Sequence, residues 1–313
     1  MTTVNDHQYH VPVLWEQVCR YLITDRKGIY LDGTLGGGGH AEQILKRLEA
    51  QALYIGMDRD ADAIAFSLKR LAQFKNVVFY HGVFTEMESA MQKAQVEKLN
   101  GVLLDLGISS HQVDEEKRGF TFRSDVPLDM RMDPHNQTLT AQDVLNTYSY
   151  RALAKIFRTY GEEARASCIA RNIVQAREKA AIKTSGQLVE LIDRCVPARF
   201  AKKSYARIFQ ALRIEVNQEL DLLTKALAMA VKHLEPGGRL VVISYHSLED
   251  RIVKNFLREQ ENPCTCPPEL PVCVCGRKPT LKQLKPRLIT PDEREVAQNP
   301  RARSAKMRVG EKQ

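Results

Sequence analysis

The sequence lacks the features that would place the protein in or across a membrane. It contains no run of about 18 apolar residues, which a membrane-spanning helix requires. Its first residues are polar and include no apolar core of a signal peptide. Seven cysteines in 313 residues are also too few, and too unevenly placed, for a disulfide framework. We therefore predict a cytoplasmic protein that makes no contact with a membrane.

Charge points only weakly to a class of partner. The net charge is +8 and the isoelectric point is about 9.1. Such an excess favours a polyanionic partner, but many basic proteins bind none, so the clustering of cations is more informative than their sum.

A glycine-rich loop is the most distinctive segment of the chain. The apolar run 29–31 ends on Asp32, five glycines follow within seven positions, and 40–45 then has the pattern of a helix. Only glycine allows such sharp turns together with close approach of the backbone to a ligand. A turn without a ligand needs one or two glycines. The order strand, loop, helix therefore predicts a Rossmann-type site for a polar ligand.

An acid at the end of the second apolar run narrows the class of ligand. The run 52–57 ends on Asp58, at a position that suits a carboxylate bound to the ribose diol of a nucleotide. The loop also fits the dinucleotide fingerprint loosely, with Gly36, Gly38 and Ala41. Both NAD and S-adenosylmethionine carry the diol, so these residues predict an adenosine cofactor without choosing between the two.

The alternation of strands and helices predicts an α/β fold with an insertion. Four apolar runs alternate with helical patterns, which is typical of a parallel sheet covered on both faces. These runs are 29–31, 52–57, 77–80 and 102–104. The next convincing strand, 239–244, comes roughly 130 residues later, and helical patterns fill the gap. We predict a core domain of residues 1–112 and 216–313, interrupted by a mostly helical domain, 113–215.

Polar and aromatic residues follow the strands at the edge where ligands bind in such sheets. Asp105 ends the fourth strand, with Ser109 and Gln112 just after it, and His246 follows the fifth. Each has a purely structural alternative. Asp105 could cap a helix, and His246 could be structural. Phe84, after the third strand, could cover an adenine ring or belong to the core.

A basic stretch within the predicted insertion suggests a nucleic-acid partner. Its cations are Arg194, Arg199, Lys202, Lys203, Arg207 and Arg213. No acid occurs between Asp193 and Glu215, and Phe200, Tyr205 and Phe209 are interleaved. Cations can hold phosphates while aromatic rings stack on unpaired bases, so the pattern favours single-stranded or looped RNA. The alternative is a solvated helix face.

Four cysteines late in the chain form two pairs, Cys264 with Cys266 and Cys273 with Cys275. Four thiolates can hold zinc tetrahedrally. Pairs spaced by one residue are less usual than pairs spaced by two, however, and no chemistry elsewhere in the sequence needs a metal. We therefore predict a proline-rich loop with reduced thiols and no metal site.

Taken together, the motifs of this chain resemble those of one family, the bacterial small-subunit ribosomal RNA cytosine-N4 methyltransferases known as RsmH or MraW. Each motif is weak alone, but their order and spacing are specific, and the resemblance runs from His10 to the C-terminus. The matching segments are 32–40, 57–60, 104–110, 129–133, 160–163, 213–217, 244–251 and 299–304.

The resemblance implies a Rossmann-like S-adenosylmethionine-dependent methyltransferase fold and methylation of the N4 amine of a cytidine in the decoding region of 16S rRNA. The substrate would be the small ribosomal subunit or its precursor, and no obligatory protein partner is predicted. By resemblance, the cofactor contacts are Gly38, Gly39, His40, Asp58, Phe84, Asp105 and Gln112. The proline-and-cysteine loop varies within the family.

The catalytic and RNA-binding residues are hypotheses of a different kind. The Asp/Asn/Ser-Pro-Pro-aromatic motif of DNA amino-methyltransferases is absent, so the contacts of those enzymes cannot be copied. We place Asp105, Ser109 and His246 near the amine. For RNA we select from the basic stretch Arg199, Lys202, Lys203, Tyr205 and Arg207.

Two other functions compete with this one. A dehydrogenase would use NAD at the same glycine loop. A non-catalytic RNA-binding factor of ribosome assembly would retain the cofactor fold without transferring a methyl group.

Overall fold

A computed structural model describes residues 12–109, 112, 115–122, 125–267 and 274–313. These residues divide into two compact units. The first comprises the described residues up to Gly107 together with Leu220–Gln313, and the second is Ile108–Glu219. The predicted insertion, 113–215, falls inside the second unit. Within the described ranges, no helix is both long and apolar enough to span a bilayer.

A mixed sheet forms the centre of the first unit. Its strands are β1 (Ile29–Asp32), β2 (Leu53–Asp58), β3 (Val77–His81), β4 (Leu99–Asp105), β5 (Leu234–Ser244), β6 (Leu281–Gln283) and β7 (Lys306–Lys312). Across the described residues they lie in the order β3-β2-β1-β4-β5-β7-β6. The first five are parallel, whereas β7 is antiparallel to both β5 and β6. This order, with five parallel strands and β7 reversed, is that of a Rossmann-like sheet, and it confirms the predicted α/β fold.

Helices cover the sheet and form the bulk of the second unit. In chain order they are α1 (Trp15–Leu22), α2 (Gly39–Leu45), α3 (Ala61–Arg70), α4 (Met87–Lys93), α5 (Ala141–Thr147), α6 (Tyr150–Thr159), α7 (Ala166–Arg177), α8 (Ser185–Asp193), α9 (Ala198–Asn217), α10 (Glu219–His233), α11 (Ser247–Glu261) and α12 (Glu293–Gln298). Short 3-10 turns occupy Phe84–Glu86, Glu116–Arg118 and Pro300–Ser304.

Both faces of the sheet are buried, as its apolar strands predict. Successive side chains of a strand point to opposite faces. Tyr30 and Leu103 accordingly belong to one apolar cluster, whereas their neighbours Leu31 and Leu104 belong to another. All four are fully buried. The polar residues at the strand ends are therefore the ones available to bind a ligand at the edge of this sheet.

The second unit has its own core, formed by one face of each of its helices. Phe157, Ile169, Leu188 and Leu212 are all completely buried there. Two cysteines of this unit, Cys168 in α7 and Cys195 just after α8, form a disulfide whose Cα atoms are 5.9 Å apart.

Some element bounds differ from the sequence-based expectations. The helix that carries most of the basic stretch begins at Ala198, directly after Pro197, whose missing N–H costs nothing there. The strand predicted at 239–244 begins earlier, at Leu234, and its pairing register with β4 shifts between Leu99 and Gly101. The sequence did not predict the short elements β6 and α12.

Candidate active site at the strand ends

Asp32 anchors the start of the glycine loop. Its side chain is 1% exposed, accepts a hydrogen bond from the Thr34 N–H at 3.0 Å, and accepts another from the Tyr54 hydroxyl at 2.9 Å. Burial raises the pKa of this carboxyl to about 6, because removal from water disfavours the charged form. The Thr34 hydroxyl in turn accepts a bond from the Asp105 N–H at 2.6 Å, so the ends of β1 and β4 are joined.

The glycine loop is held in a conformation that requires glycine. Gly36 and Gly38 have φ values of 51° and 73°, in the left-handed region. The N–H of Gly36 donates to Asp58 Oδ2 at 2.7 Å, and its carbonyl accepts from the Ser67 hydroxyl at 2.7 Å. A Cβ atom at Gly36 would meet only the Thr34 carbonyl, 3.9 Å away. Hydrogen bonds to Asp58 and Ser67 therefore fix the loop, and the space around Gly36 is open to a ligand.

Asp58 ends β2 and connects the loop to the sheet. Its Oδ1 accepts from the Asp60 N–H at 2.8 Å, while Oδ2 accepts from Gly36. Burial raises the pKa of Asp58 to about 6. Each carboxylate oxygen has a second lone pair. Asp58 can therefore hold the loop and still accept a hydrogen bond from a ribose hydroxyl.

Asp105, at the end of β4, is the centre of a polar cluster. The Tyr245 hydroxyl donates to its Oδ1 at 2.9 Å, and His40 Nε2 lies 3.4 Å from its Oδ2. Burial, followed by the charge of Asp105, raises the pKa of Tyr245 well above its ordinary value, so the phenol stays protonated and donates. Tyr245 is not among the site residues predicted from the sequence.

The signal that could have revealed Tyr245 is the register of two neighbouring strands. In the β4–β5 pairing, Asp105 lies opposite Ile243, so residues just past the end of β5 must come close to Asp105. Of the residues at this strand end, only His246 is predicted from the sequence as a site residue, and Tyr245 directly before it is not.

His40 supplies a test of whether a polar ligand fits this site. The residue is only 6% exposed, yet neither ring nitrogen has a hydrogen-bond partner among the described residues. Buried polar atoms are nearly always paired. A ligand with polar groups, placed over the open glycine loop, would satisfy this histidine, so the residues fit a nucleoside cofactor.

Phe84 lies beside the loop. It begins the 3-10 turn after β3, is half-buried, and sits so close to Gly33 that a Cβ atom there would be 2.9 Å from the Phe84 Cβ. The ring can therefore face a flat ligand held by the loop.

His246 is the N-cap of α11. Its Nδ1 accepts from the Glu249 N–H at 3.4 Å, and the Glu249 carboxylate accepts from the His246 N–H at 3.3 Å. This reciprocal arrangement is a capping box, and it requires Nδ1 to be unprotonated. Nε2 then carries the proton and lies 3.2 Å from Glu249 Oε1. The structure thus gives His246 a structural role that competes with proton acceptance.

Ser109 and Gln112 belong to the second unit, and the structure brings them together there. The Ser109 N–H donates to Gln112 Oε1 at 3.1 Å, and the Gln112 N–H donates to Ser109 Oγ at 3.1 Å.

Most of the basic stretch lies on α9, while Arg194 directly follows α8, and only some of its cations are exposed. Lys202 and Lys203 are exposed. Arg199 is also exposed, and its guanidinium lies 4.7 Å from the centre of the Phe200 ring. Phe200 is itself 49% exposed, which is unusual for so large an apolar side chain.

Other members of the stretch are engaged within the second unit. The Tyr205 hydroxyl donates to Asp193, and its ring packs edge-on against Phe122. Arg207 lies 3.7 Å from Glu163. Arg213 forms two bonds of 2.9 Å with Glu219. The exposed part of the predicted RNA surface is therefore the first two turns of α9.

In the cysteine loop, the structure describes three of the four residues, Cys264, Cys266 and Cys275. Their sulfur atoms lie within 4.8 Å of one another. Cys273 lies outside the described residues.

Comparison with known proteins identifies the family. The family model described as "MraW methylase family" matches residues 7–313. The chain belongs to the MraW methylase family. A protein of Carboxydothermus hydrogenoformans, named ribosomal RNA small subunit methyltransferase H, is 48% identical over 306 residues, covering 97% of each chain. A Clostridium botulinum protein of the same name is 45% identical over 302 residues, covering 96% of this chain and 97% of its own length.

Membership of the MraW family makes this chain a methyltransferase with S-adenosylmethionine as its cofactor. This removes the choice between S-adenosylmethionine and NAD that the glycine loop left open. The individual site residues remain predictions, supported by the geometry described above.

Proposed function

We propose that the protein transfers the methyl group of S-adenosylmethionine to the exocyclic N4 amine of a cytidine in the decoding region of 16S rRNA. Its substrate would be the small ribosomal subunit or its precursor in the cytoplasm, with no obligatory protein partner. The names of the relatives support the ribosomal RNA of the small subunit as substrate. The observation that carries the chemistry is the carboxylate of Asp105, fixed beside the glycine loop by Tyr245.

The proposed cofactor contacts follow from the positions of the loop and strand ends. Gly38 and Gly39 let the backbone approach the ligand, and Asp58 accepts from the ribose. Phe84 faces the adenine ring, and the cofactor gives His40 the hydrogen bond that its ring nitrogens lack, since Nε2 has only the 3.4 Å contact with Asp105. Gln112 is included among the cofactor contacts because of the family resemblance.

The main task of the protein in this reaction is to position the amine of the cytidine against the methyl group. Bound S-adenosylmethionine supplies an electrophilic methyl group. The N4 amine is a poor nucleophile, because its lone pair is delocalised into the cytosine ring. We assign Asp105 to accept a hydrogen bond from the amine, which would orient the nitrogen for in-line attack and take its proton as the new N–C bond forms. Tyr245 is a positioning residue that donates to Asp105 and holds its carboxylate still.

Ser109 and His246 take lesser roles in this proposal. The Ser109 hydroxyl is bonded to the Gln112 backbone and can offer its own proton to a nearby acceptor. His246 stabilises the start of α11, directly after Tyr245, and so would act on the reaction through the position of that tyrosine.

The substrate must present an unpaired base. The N4 amine is engaged in a base pair within a duplex, so the cytidine has to lie in a loop or be flipped out. The exposed cations Arg199, Lys202 and Lys203 on α9 would hold phosphates of the RNA, with Phe200 as an exposed ring on which a base could stack.

The test uses methyl-tritiated S-adenosylmethionine and small subunits from a strain that lacks this protein. After incubation with the purified chain alone, the RNA is digested to nucleosides. We expect label in N4-methylcytidine or its 2′-O-methylated form, and a rate lower by about 100-fold or more with Asp105→Ala. The exposed-aspartate variant Asp221→Ala is the matched control, since it removes a carboxylate of α10 that lies outside the strand ends.

Each of the other outcomes would refute one part of the proposed function. Label in another nucleoside would reject the N4 assignment. RNA binding without label, with cofactor bound, would favour a non-catalytic assembly factor. Wild-type turnover and cofactor affinity in Asp105→Ala would remove Asp105 from both of its roles.

A further inference from the structure

The loop between α11 and β6 gathers three cysteine side chains. Cys264, Cys266 and Cys275 come from two separate parts of the loop, yet their sulfur atoms all lie within 4.8 Å of one another. This group lies in the first unit and plays no part in the proposed methyl transfer.

The described part of the loop lies at the surface of the first unit. None of its described residues, 263–267 and 274–279, is buried, and Val274 is 77% exposed. Its two ends are fixed, since the Thr280 N–H donates to the Gln260 carbonyl at 3.0 Å and Gln283 bonds the Glu261 carboxylate. A metal bound by the three sulfurs would cross-link the two described parts of the loop.

Backbone geometry around the sulfurs is suited to charged thiolates. The Val274 N–H donates to Cys266 Sγ at 3.4 Å, which is the kind of contact that stabilises a metal-bound sulfur. Gly276, directly after Cys275, has φ of 67°, and a Cβ atom there would meet nothing within 4 Å, so the chain turns sharply without packing. Arg277 and Lys278 follow and would offset the negative charge of several thiolates.

We propose that Cys264, Cys266 and Cys275 bind a zinc ion that holds this loop in one conformation. Zinc in structural sites takes four ligands, with thiolates at about 2.3 Å. Three thiolates therefore leave one position for a further ligand. Binding replaces three thiol protons by the ion and involves no change of oxidation state. Soft thiolate ligands favour zinc, copper(I) or iron–sulfur clusters over magnesium or calcium.

This proposal differs from the sequence-based prediction of a loop without a metal site. One-residue spacing made the pairs look unlike a zinc site, and the sequence alone did not show that Cys275 returns to Cys264 and Cys266. The convergence of the three sulfurs is a tertiary feature.

The test measures metal rather than methyl transfer, so its result is independent of the proposed function. The full chain is purified under reducing conditions without chelators, and its zinc content is measured by elemental analysis. We expect about one zinc per chain. The apo protein, titrated with Co²⁺, should show thiolate-to-cobalt charge-transfer absorption and the visible bands of tetrahedral cobalt.

Single variants then assign the ligands. Cys264→Ser, Cys266→Ser and Cys275→Ser should each weaken zinc affinity by about 10-fold or more in competition with a chelating dye, whereas Thr265→Ser should retain wild-type affinity. Circular dichroism should show an unchanged fold, because none of the three cysteines belongs to the core clusters of the first unit.

Three results would overturn the proposal. The first is wild-type protein that carries less than about a tenth of an equivalent of zinc and gives no thiolate–cobalt absorption. The second is full zinc binding by the triple serine variant. The third is a disulfide within the loop in freshly reduced protein.

Discussion

The buried carboxylate of Asp32 makes a sharp prediction about stability and pH. It lies at the start of the glycine loop, almost fully enclosed, and accepts from three neighbouring donors, of which the two on Thr34 can also be satisfied by the amide oxygen of Asn. In Asp32→Asn, the amide oxygen can still accept from Thr34, and the amide nitrogen can turn toward the Tyr54 oxygen. The substitution therefore removes the charge and keeps the shape.

The size of the effect follows from the pKa. Burial raises the pKa of Asp32 from 3.8 to about 6. The difference is about 2 units, at about 1.4 kcal/mol each, so ionised Asp32 lowers the free energy of unfolding by about 3 kcal/mol at pH 7. The folded state binds this proton more tightly than the unfolded state. Its contribution to stability is thus greatest below about pH 4 and declines as the pH rises toward about 6.

The expected result is a pH-dependent difference between two proteins. Asp32→Asn should gain about 2 kcal/mol of unfolding free energy relative to wild type on going from about pH 4.5 to about pH 7. Urea unfolding followed by tryptophan fluorescence reports the first unit, because the single tryptophan, Trp15, lies in α1. Asp221→Asn, an exposed aspartate, matches the loss of one negative charge. An equal difference between Asp32→Asn and wild type at both pH values would refute the reasoning.

Three further variants test the site. Tyr245→Phe removes a hydrogen bond to a carboxylate, worth about 2 kcal/mol, so single-turnover methyl transfer should fall about 30-fold with the KM for RNA unchanged. Lys202→Ala/Lys203→Ala should reduce the slope of log affinity against log salt by about 1.4 in RNA filter binding. Gly38→Ala forces a side chain into a left-handed position and puts its Cβ 3.1 Å from the Ser67 hydroxyl, so calorimetry should show S-adenosylmethionine binding weaker by about 10-fold or more.

Matched controls separate these effects from general damage. Tyr21→Phe removes a hydroxyl that bonds the Lys285 carbonyl, away from the strand ends, and should leave turnover unchanged. Lys225→Ala removes an exposed lysine of α10 and should leave the salt slope unchanged. Gly237→Ala also adds a Cβ at positive φ, with nothing nearby to meet it, and should not alter cofactor affinity. A variant that behaves like its control would contradict the assigned role.

The fold could be predicted from local pattern because the local signals agree with one another. Apolar runs such as 102–104 alternate with amphipathic helices, and an acid or a glycine follows each strand, so the parallel sheet and its ligand edge follow from sequence. The short strand β6 gave no such signal. It has only three residues and is stabilised by pairing with β7, which begins at Lys306.

The contacts that define the site could not be predicted in the same way. Tyr245 and Asp105 are 140 positions apart, and only the adjacency of β4 and β5 brings them together. His246 looked catalytic because it ends a strand, yet its three-residue spacing from Glu249 makes a capping box in which histidine replaces the usual serine or threonine.

The pairing of the basic stretch with acids was also hidden from the sequence, and the structure shows which of its cations are exposed. The absence of acids between 193 and 215 suggested free cations, but acids from elsewhere in the unit pair with Arg207 and Arg213. Of the exposed cations, Arg199 sits in the first turn of α9, where the helix dipole opposes a cation by about 0.3–1 kcal/mol. Elsewhere in the chain, α11 places two acids in its first turn. The charge pattern of α9 is therefore unfavourable for its own helix, and a bound polyanion such as RNA would reverse that balance.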